Sequence, residues 1–170
     1  MSRYVALLRA VNVGGTGKLP MSELKAMCCG AGFARVETYI ASGNVVFESK
    51  VAPSGVKAML EERLRAYVGK PVGVVVRTAT EMRAILKANP FPKAEPKTTY
   101  VIFLDKPPAP DALAQVSGQK DEQLRLGQRE IFVHFPGGMG RSKLRIAEAK
   151  TGTARNMNTV AKLAEMASKP

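Results

Sequence analysis

Four short runs of nearly uninterrupted apolar residues limit what this chain can become. They are Val-Ala-Leu-Leu at 5–8, Val-Val-Phe at 45–47, Val-Gly-Val-Val-Val at 72–76 and Val-Ile-Phe-Leu at 101–104. Each has strand length, and a strand without polar alternation needs both of its faces covered. None approaches the ~20 apolar residues of a membrane-spanning helix. Strands of this kind therefore imply layered α and β structure.

The segments between the runs give the order. Arg3 to Arg9 reads as a strand, and after a loop Pro20 opens a helix through about Ala31, ended by Gly30 and Gly32. Val36 to Ile40 and Val45 to Glu48 form a hairpin around Ala41-Ser42-Gly43-Asn44, where Gly and Asn tolerate positive φ. Pro53 starts a second helix to about Val68, Val72 to Arg77 is a fourth strand, and Thr80 to Lys87 a short helix. This is the β-α-β-β-α-β order of a ferredoxin-like unit.

A proline-rich connector, Asn89 to Lys97, follows, and the plan then repeats. Thr99 to Leu104 is a strand. A short helix ends near Val116, and Asp121 to Leu126 with Glu130 to Phe135 form a hairpin around Gly127-Gln128. A helical stretch is expected over Ser142 to Ala149, then a last helix from about Ala154 to Ala167 capped by Thr153. No fourth strand of this half shows in the sequence. The fold expected is α+β, an α/β sandwich. Two ferredoxin-like halves, 1–88 and 98–170, are joined by the connector at 89–97 and packed into one unit with a C-terminal helix.

Charge and cysteine usage narrow the function. The chain carries 26 Lys and Arg against 14 Asp and Glu, a net charge of +12, which puts polyanions first among partner classes. The excess is even along the chain, so it equally suits plain solubility. The two cysteines, Cys28 and Cys29, are adjacent, and neighbours seldom bridge because the ring strains the peptide between them. Two reduced thiols, and an N-terminal apolar run too short for a signal core, point to the cytoplasm and to no membrane partner.

Two glycine-rich loops carry basic residues. Asn12-Val-Gly-Gly-Thr-Gly-Lys18 lies between a strand and a helix, where backbone N–H groups and a lysine make an anion site. It is not a nucleotide-hydrolase phosphate loop, because Asn12 stands at the first glycine position and Leu19 where a hydroxyl must meet magnesium. The second loop, Gly137-Gly-Met-Gly-Arg141-Ser-Lys143, echoes the first. With the first and third strands of each half taken as parallel neighbours, the two loops leave comparable strand ends and flank one cleft. Candidate anion-binding residues are Asn12, Gly14, Gly15 and Lys18, with Ser42 and Asn44 of the hairpin turn, and Gly138, Arg141 and Lys143. The last helix adds Arg155, Asn156 and Asn158, offered from its first turn to a phosphate or carboxylate.

The remaining motifs are weak. Phe132-Val-His-Phe135 matches only the tail of an RNA-recognition signature. His134 is the sole histidine, with no nucleophile, spaced acids or metal-ligand cluster beside it. No catalytic residues, metal or cofactor are called for.

The stretches Arg9-Ala-Val-Asn-Val-Gly-Gly15, Leu19-Pro-Met-Ser-Glu-Leu24 and Thr38-Tyr-Ile-Ala-Ser-Gly-Asn-Val-Val-Phe47 resemble the bacterial domain-of-unknown-function family 1697. Gly140-Arg-Ser-Lys-Leu144 and Thr153-Ala-Arg-Asn-Met-Asn-Thr-Val160 extend the likeness, although Met157 stands where that family usually has Trp. The resemblance implies a small bacterial protein of two ferredoxin-like halves, and supplies no substrate, cofactor or catalytic residues. Three function classes stay open. They are a polyanion or nucleic-acid binding module, a binder of (or enzyme on) a small phosphorylated molecule, and a protein-interaction module.

Overall fold

The first apolar run becomes strand β1, Ser2–Leu8, and period-two alternation aims Tyr4, Ala6 and Leu8 at one layer of helices. A computed structural model of the chain describes residues 1–12 and 18–170. The described residues divide into one unit of Met1–Arg83 with Leu163–Pro170 and a second of Ala84–Lys162.

In the first unit, helix α1 (Met21–Gly30), strands β2 (Ala34–Thr38) and β3 (Asn44–Ser49), helix α2 (Pro53–Val68) and strand β4 (Val74–Thr78) follow β1. The sheet order is β2-β3-β1-β4, and every pairing is antiparallel. Both helices end as their glycines dictate. Gly32 (φ 86°) and Gly69 (φ 86°) take the left-handed conformation that closes a helix, and Gly69 donates its N–H to the Arg65 carbonyl. Val56, Leu60 and Leu64 recur every fourth residue along α2 and are fully buried with Leu24 and Cys28 of α1 against the sheet. Each such side chain contributes about 1.5–3 kcal/mol of burial. Phe33 stacks on Phe47 at 4.4 Å between ring centres. Val5, Leu7 and Val46, which point to the other sheet face, are buried too, as uninterrupted apolar strands require.

The hairpin turn corrects one detail of the sequence reading. Gly43 (φ 91°) and Ile40 (φ 51°) adopt the left-handed conformation, whereas Asn44 opens β3. Helix α3 (Ala79–Lys87) starts on a reciprocal cap: Thr78 Oγ1 accepts the Glu81 N–H and Glu81 Oε1 accepts the Thr78 N–H. At the other end of the chain, Arg3 and Arg35 donate to the carbonyls of Met166 and Pro170, and Arg83 to the Ser168 hydroxyl. Arginines suit this place, because the last carbonyls of a helix lack intrahelical donors.

The second unit holds β5 (Thr99–Phe103), β6 (Gln123–Leu126), β7 (Glu130–His134) and β8 (Thr153–Asn156), in the order β6-β7-β5-β8. With β5 as first strand, this is the same antiparallel order as in the first unit. The fourth strand that the sequence did not show is β8, paired to β5 through Ile102 and Ala154. Its residues are Thr-Ala-Arg-Asn, with no apolar run to betray them. The helical layer is thinner here. Short 3₁₀ turns at Ala112–Gln115, Met139–Arg141 and Ala147–Thr151 replace helices. The helix expected over Ser142 to Ala149 does not form, because Arg145 instead bridges to Ser117 through paired backbone hydrogen bonds. Ile102, Leu124, Ile131, Val133, Phe135 and Ile146 make its core. The last helix, α4 (Met157–Ala167), begins later than expected: Asn156 Oδ1, not Thr153, caps it by accepting the Thr159 N–H at 2.9 Å.

The antiparallel pairing also overturns the expected equivalence of the two glycine loops. Strand β1 runs opposite to β3, and β5 opposite to β7. A loop leaving a first strand and a loop leaving a third strand therefore exit opposite edges of their sheets. The counterpart of the loop after β1 is the proline-containing segment after β5, not the glycine loop after β7.

Candidate functional site

The first glycine loop leaves β1 beside the connection between α2 and β4, and sheet register decides which residues meet there. Leu8 pairs with Val74, so the next residue back, Gly73, comes to Arg9, and the Arg9 N–H donates to the Gly73 carbonyl at 2.9 Å. The α2–β4 connection is fixed from its far side. Glu61 Oε2 accepts the Val74 N–H at 3.1 Å, while Lys57 Nζ donates to the Val74 carbonyl at 2.7 Å and to Glu61 at 3.0 Å.

Between these segments lies a cavity of about 350 Å³, lined by the β1 exit with Lys18 and Leu19, by the end of α2 and by the connection. Among the described residues that line it, three are cationic, Arg9, Lys18 and Lys70, and none is acidic. No ion pair among the described residues involves Lys18 or Lys70. Val11, Leu19 and Val72 make an apolar floor and are buried, whereas Tyr67 stands 48% exposed at the rim. The helix end that borders the cavity is the carbonyl end of α2, so the positive charge around it comes from side chains.

Of the residues singled out from the sequence for the first loop, Lys18 lines this cavity. Asn12 is next to it with a different task. At φ 56°, its Nδ2 donates to the carbonyls of Leu19 and Ala41, both at 2.9 Å, and its Oδ1 accepts the Leu19 N–H at 2.6 Å. Gly14 and Gly15 lie outside the described residues. Asn44 is fully buried and donates to the Tyr39 carbonyl and to the Ser42 hydroxyl. The amides of Asn12 and Asn44 thus hold the loop base and the hairpin turn in shape.

The second loop lines a smaller cavity of about 200 Å³ in its own unit, with Gly138, Arg141 and Lys143 on the wall. A carboxylate already sits inside it. Glu122 accepts the Lys120 N–H at 2.6 Å and the Ser142 hydroxyl, and these hydrogen bonds, the Ser142 hydroxyl first, hold its carboxyl below the usual range. Glu122 thus occupies the Ser142 hydroxyl and the Lys120 N–H and brings a negative charge to the wall that Arg141 and Lys143 share. Gly138 is left-handed (φ 87°), and Arg141 and Lys143 are exposed.

The C-terminal candidates separate. Arg155 stands in β8, not in the first turn of a helix, and is buried. Its Nη1 donates to the Thr153 hydroxyl at 2.7 Å and the Ala154 carbonyl at 2.9 Å, and burial pushes its guanidinium down to about 10. Asn156 is the cap of α4, and Asn158, two residues on, is exposed. Met157 is buried, as a core filler in the family's Trp position would be. Among the described residues, no group of three or more His, Cys, Asp or Glu is placed to hold a metal ion. No helix among them is long and apolar enough to cross a membrane.

Arg9, Tyr67 and Lys70 are absent from the sequence-derived candidates. The signal for them was topological: in a ferredoxin-like order the fourth strand lies beside the first, which brings the β4 entry to the β1 exit.

The sequence model of the family DUF1697, described as proteins of unknown function, matches residues 1–132. The chain belongs to that family. The DUF1697 match ends before the second glycine loop and β8. No curated protein matches the sequence. Among solved structures, this DUF1697 protein is similar to the conserved bacterial protein SP0830 from Streptococcus pneumoniae. The TM-score is 0.82 at 24% identity, over 98% of this chain and 99% of that one. A likeness at that identity establishes the shared fold.

Proposed function

We propose that this protein binds a small phosphorylated molecule in the cavity of Arg9, Lys18 and Lys70. The observation that carries the reading is the composition of that cavity, three cations and no acid around an apolar floor. Its volume of about 350 Å³ is in the range of small-ligand sites. A concave wall lets several cations approach one anion at once, and the apolar floor lowers the local dielectric and strengthens each contact. The free thiols of Cys28 and Cys29 support a cytoplasmic setting, where such metabolites are found.

A polyanion such as nucleic acid is the second reading, supported by the net charge of +12. The two differ in salt response, since phosphate contacts along a strand release counterions and lose affinity steeply with salt.

The test is isothermal titration with inorganic pyrophosphate, on the natural protein and on a Lys18→Ala/Lys70→Ala variant. Each lost charge-assisted contact is worth about 1.5 kcal/mol, so about a hundredfold loss is expected from the pair. A control variant, Lys50→Ala/Lys93→Ala, removes two exposed charges elsewhere and is expected to bind normally. Equal losses in both variants would show that the charge acts diffusely and the cavity does not select.

A further inference from the structure

Resting on the reading above, we infer that the ligand is a nucleoside phosphate whose base stacks on Tyr67 while its phosphates meet Arg9, Lys18 and Lys70. Tyr67 occupies the last turn of α2, off the buried stripe of Val56, Leu60 and Leu64. The core does not hold its ring. Tyr67 is 48% exposed and takes part in none of the ring contacts among the described residues, which join Tyr4, Phe33, Phe47, Phe91, Tyr100, Phe135 and His134.

What distinguishes Tyr67 from an incidental surface aromatic is its company. It lines the same cavity as the three cations, and the chain turns at Gly69 so that Lys70 and Pro71 follow on that wall. An aromatic face, an apolar floor of Val11, Leu19 and Val72, and a cationic end therefore share one concave space. Those are the requirements of a molecule with a planar ring at one end and phosphate at the other.

Backbone strain gathers at the same place. Ala10 lines the cavity with φ 54°, a conformation that costs a residue with a Cβ about 1–2 kcal/mol. Asn12, two residues on, is left-handed as well, and its amide ties the loop base to the hairpin turn at Ala41. Held strain of this kind is characteristic of ligand-binding walls.

The experiment compares inorganic pyrophosphate, ATP and a short oligothymidylate as titrants. It uses the natural chain, Tyr67→Ala, Tyr67→Phe and the Lys18→Ala/Lys70→Ala variant. The natural protein is expected to bind ATP about tenfold more tightly than pyrophosphate, the scale of one stacked base. Tyr67→Ala brings the affinity for ATP down to that for pyrophosphate, whereas Tyr67→Phe keeps the advantage. The chain has no Trp and four Tyr, so quenching of tyrosine emission on ATP addition, absent in Tyr67→Phe, is a second readout. If pyrophosphate binds but ATP binds no better, or Tyr67→Ala changes nothing, the stacking inference fails and the anion reading stands. If neither binds, both fail. Tighter binding of the oligothymidylate than of ATP overturns the free nucleotide in favour of a strand end.

Discussion

Removing the Asn12 carboxamide tests the claim that this residue shapes the loop base and does not hold ligand. Three hydrogen bonds leave with it in Asn12→Ala, two to Leu19 and one to the Ala41 carbonyl. Each is worth about 1 kcal/mol net. Ala41 is exposed, so its carbonyl regains water, whereas Leu19 is 2% exposed and its N–H and C=O lose their partner. The hydrogen-bond loss is therefore about 2 kcal/mol. Alanine at φ 56° adds about 1 kcal/mol, because asparagine tolerates the left-handed conformation and alanine does not. Urea unfolding followed by circular dichroism is expected to show Asn12→Ala less stable by about 3 kcal/mol. Asn12→Gly, which loses the bonds but not the backbone fit, falls nearer 2 kcal/mol. A loss below about 0.5 kcal/mol for Asn12→Ala would refute the structural role and return Asn12 to the ligand.

The adjacent cysteines are expected to behave differently. Burial, then the neighbouring Cys29, pushes the Cys28 thiol up to about 12 from an ordinary 9.0, while Cys29 is exposed. A thiol reagent on the folded protein should therefore modify one cysteine rapidly. Above pH 9.0 the unfolded chain releases the Cys28 proton while the folded one keeps it to about 12, so stability falls as pH rises through that window. The slope approaches about 1.4 kcal/mol per pH unit. A Cys28→Ala variant should lack that component when its pH–stability curve is subtracted from the natural one; identical slopes would count against it. Gly118→Ala is expected to unfold the second unit or cost more than about 3 kcal/mol, because a Cβ at this φ of 70° would sit 2.0 Å from the Lys143 carbonyl oxygen. Near-natural stability in a melt would show that the Ser117–Arg145 bridge gives way easily.

Elements governed by short-range pattern were legible in the sequence. Helix α2 announces itself by Pro53 at its start, apolar residues every fourth position and Gly69 at its end. The hairpins follow from β-branched runs around glycine. Strand β8 was not legible, because Thr-Ala-Arg-Asn owes its conformation to pairing with β5 and not to its own residues. For the same reason Arg155 passed for a helix-face cation: spacing cannot reveal that a charged side chain is buried. The basic cavity was half legible. Lys18 stood out beside its glycines, but Arg9 and Lys70 are far apart in the chain and meet only through the register of β1 on β4.

The bracket between Asn12 and Leu19 also affects how this protein can diversify. Both partners belong to the frame: Leu19 to the apolar cluster, and Asn12 to the hairpin through Ala41. Lys18 adjoins Leu19 in the chain, so the bracket also fixes where that cation stands on the cavity wall. A change at Asn12 would shift Lys18 relative to Arg9 and Lys70, and a residue that touches no ligand thereby limits how far the set of cations can vary.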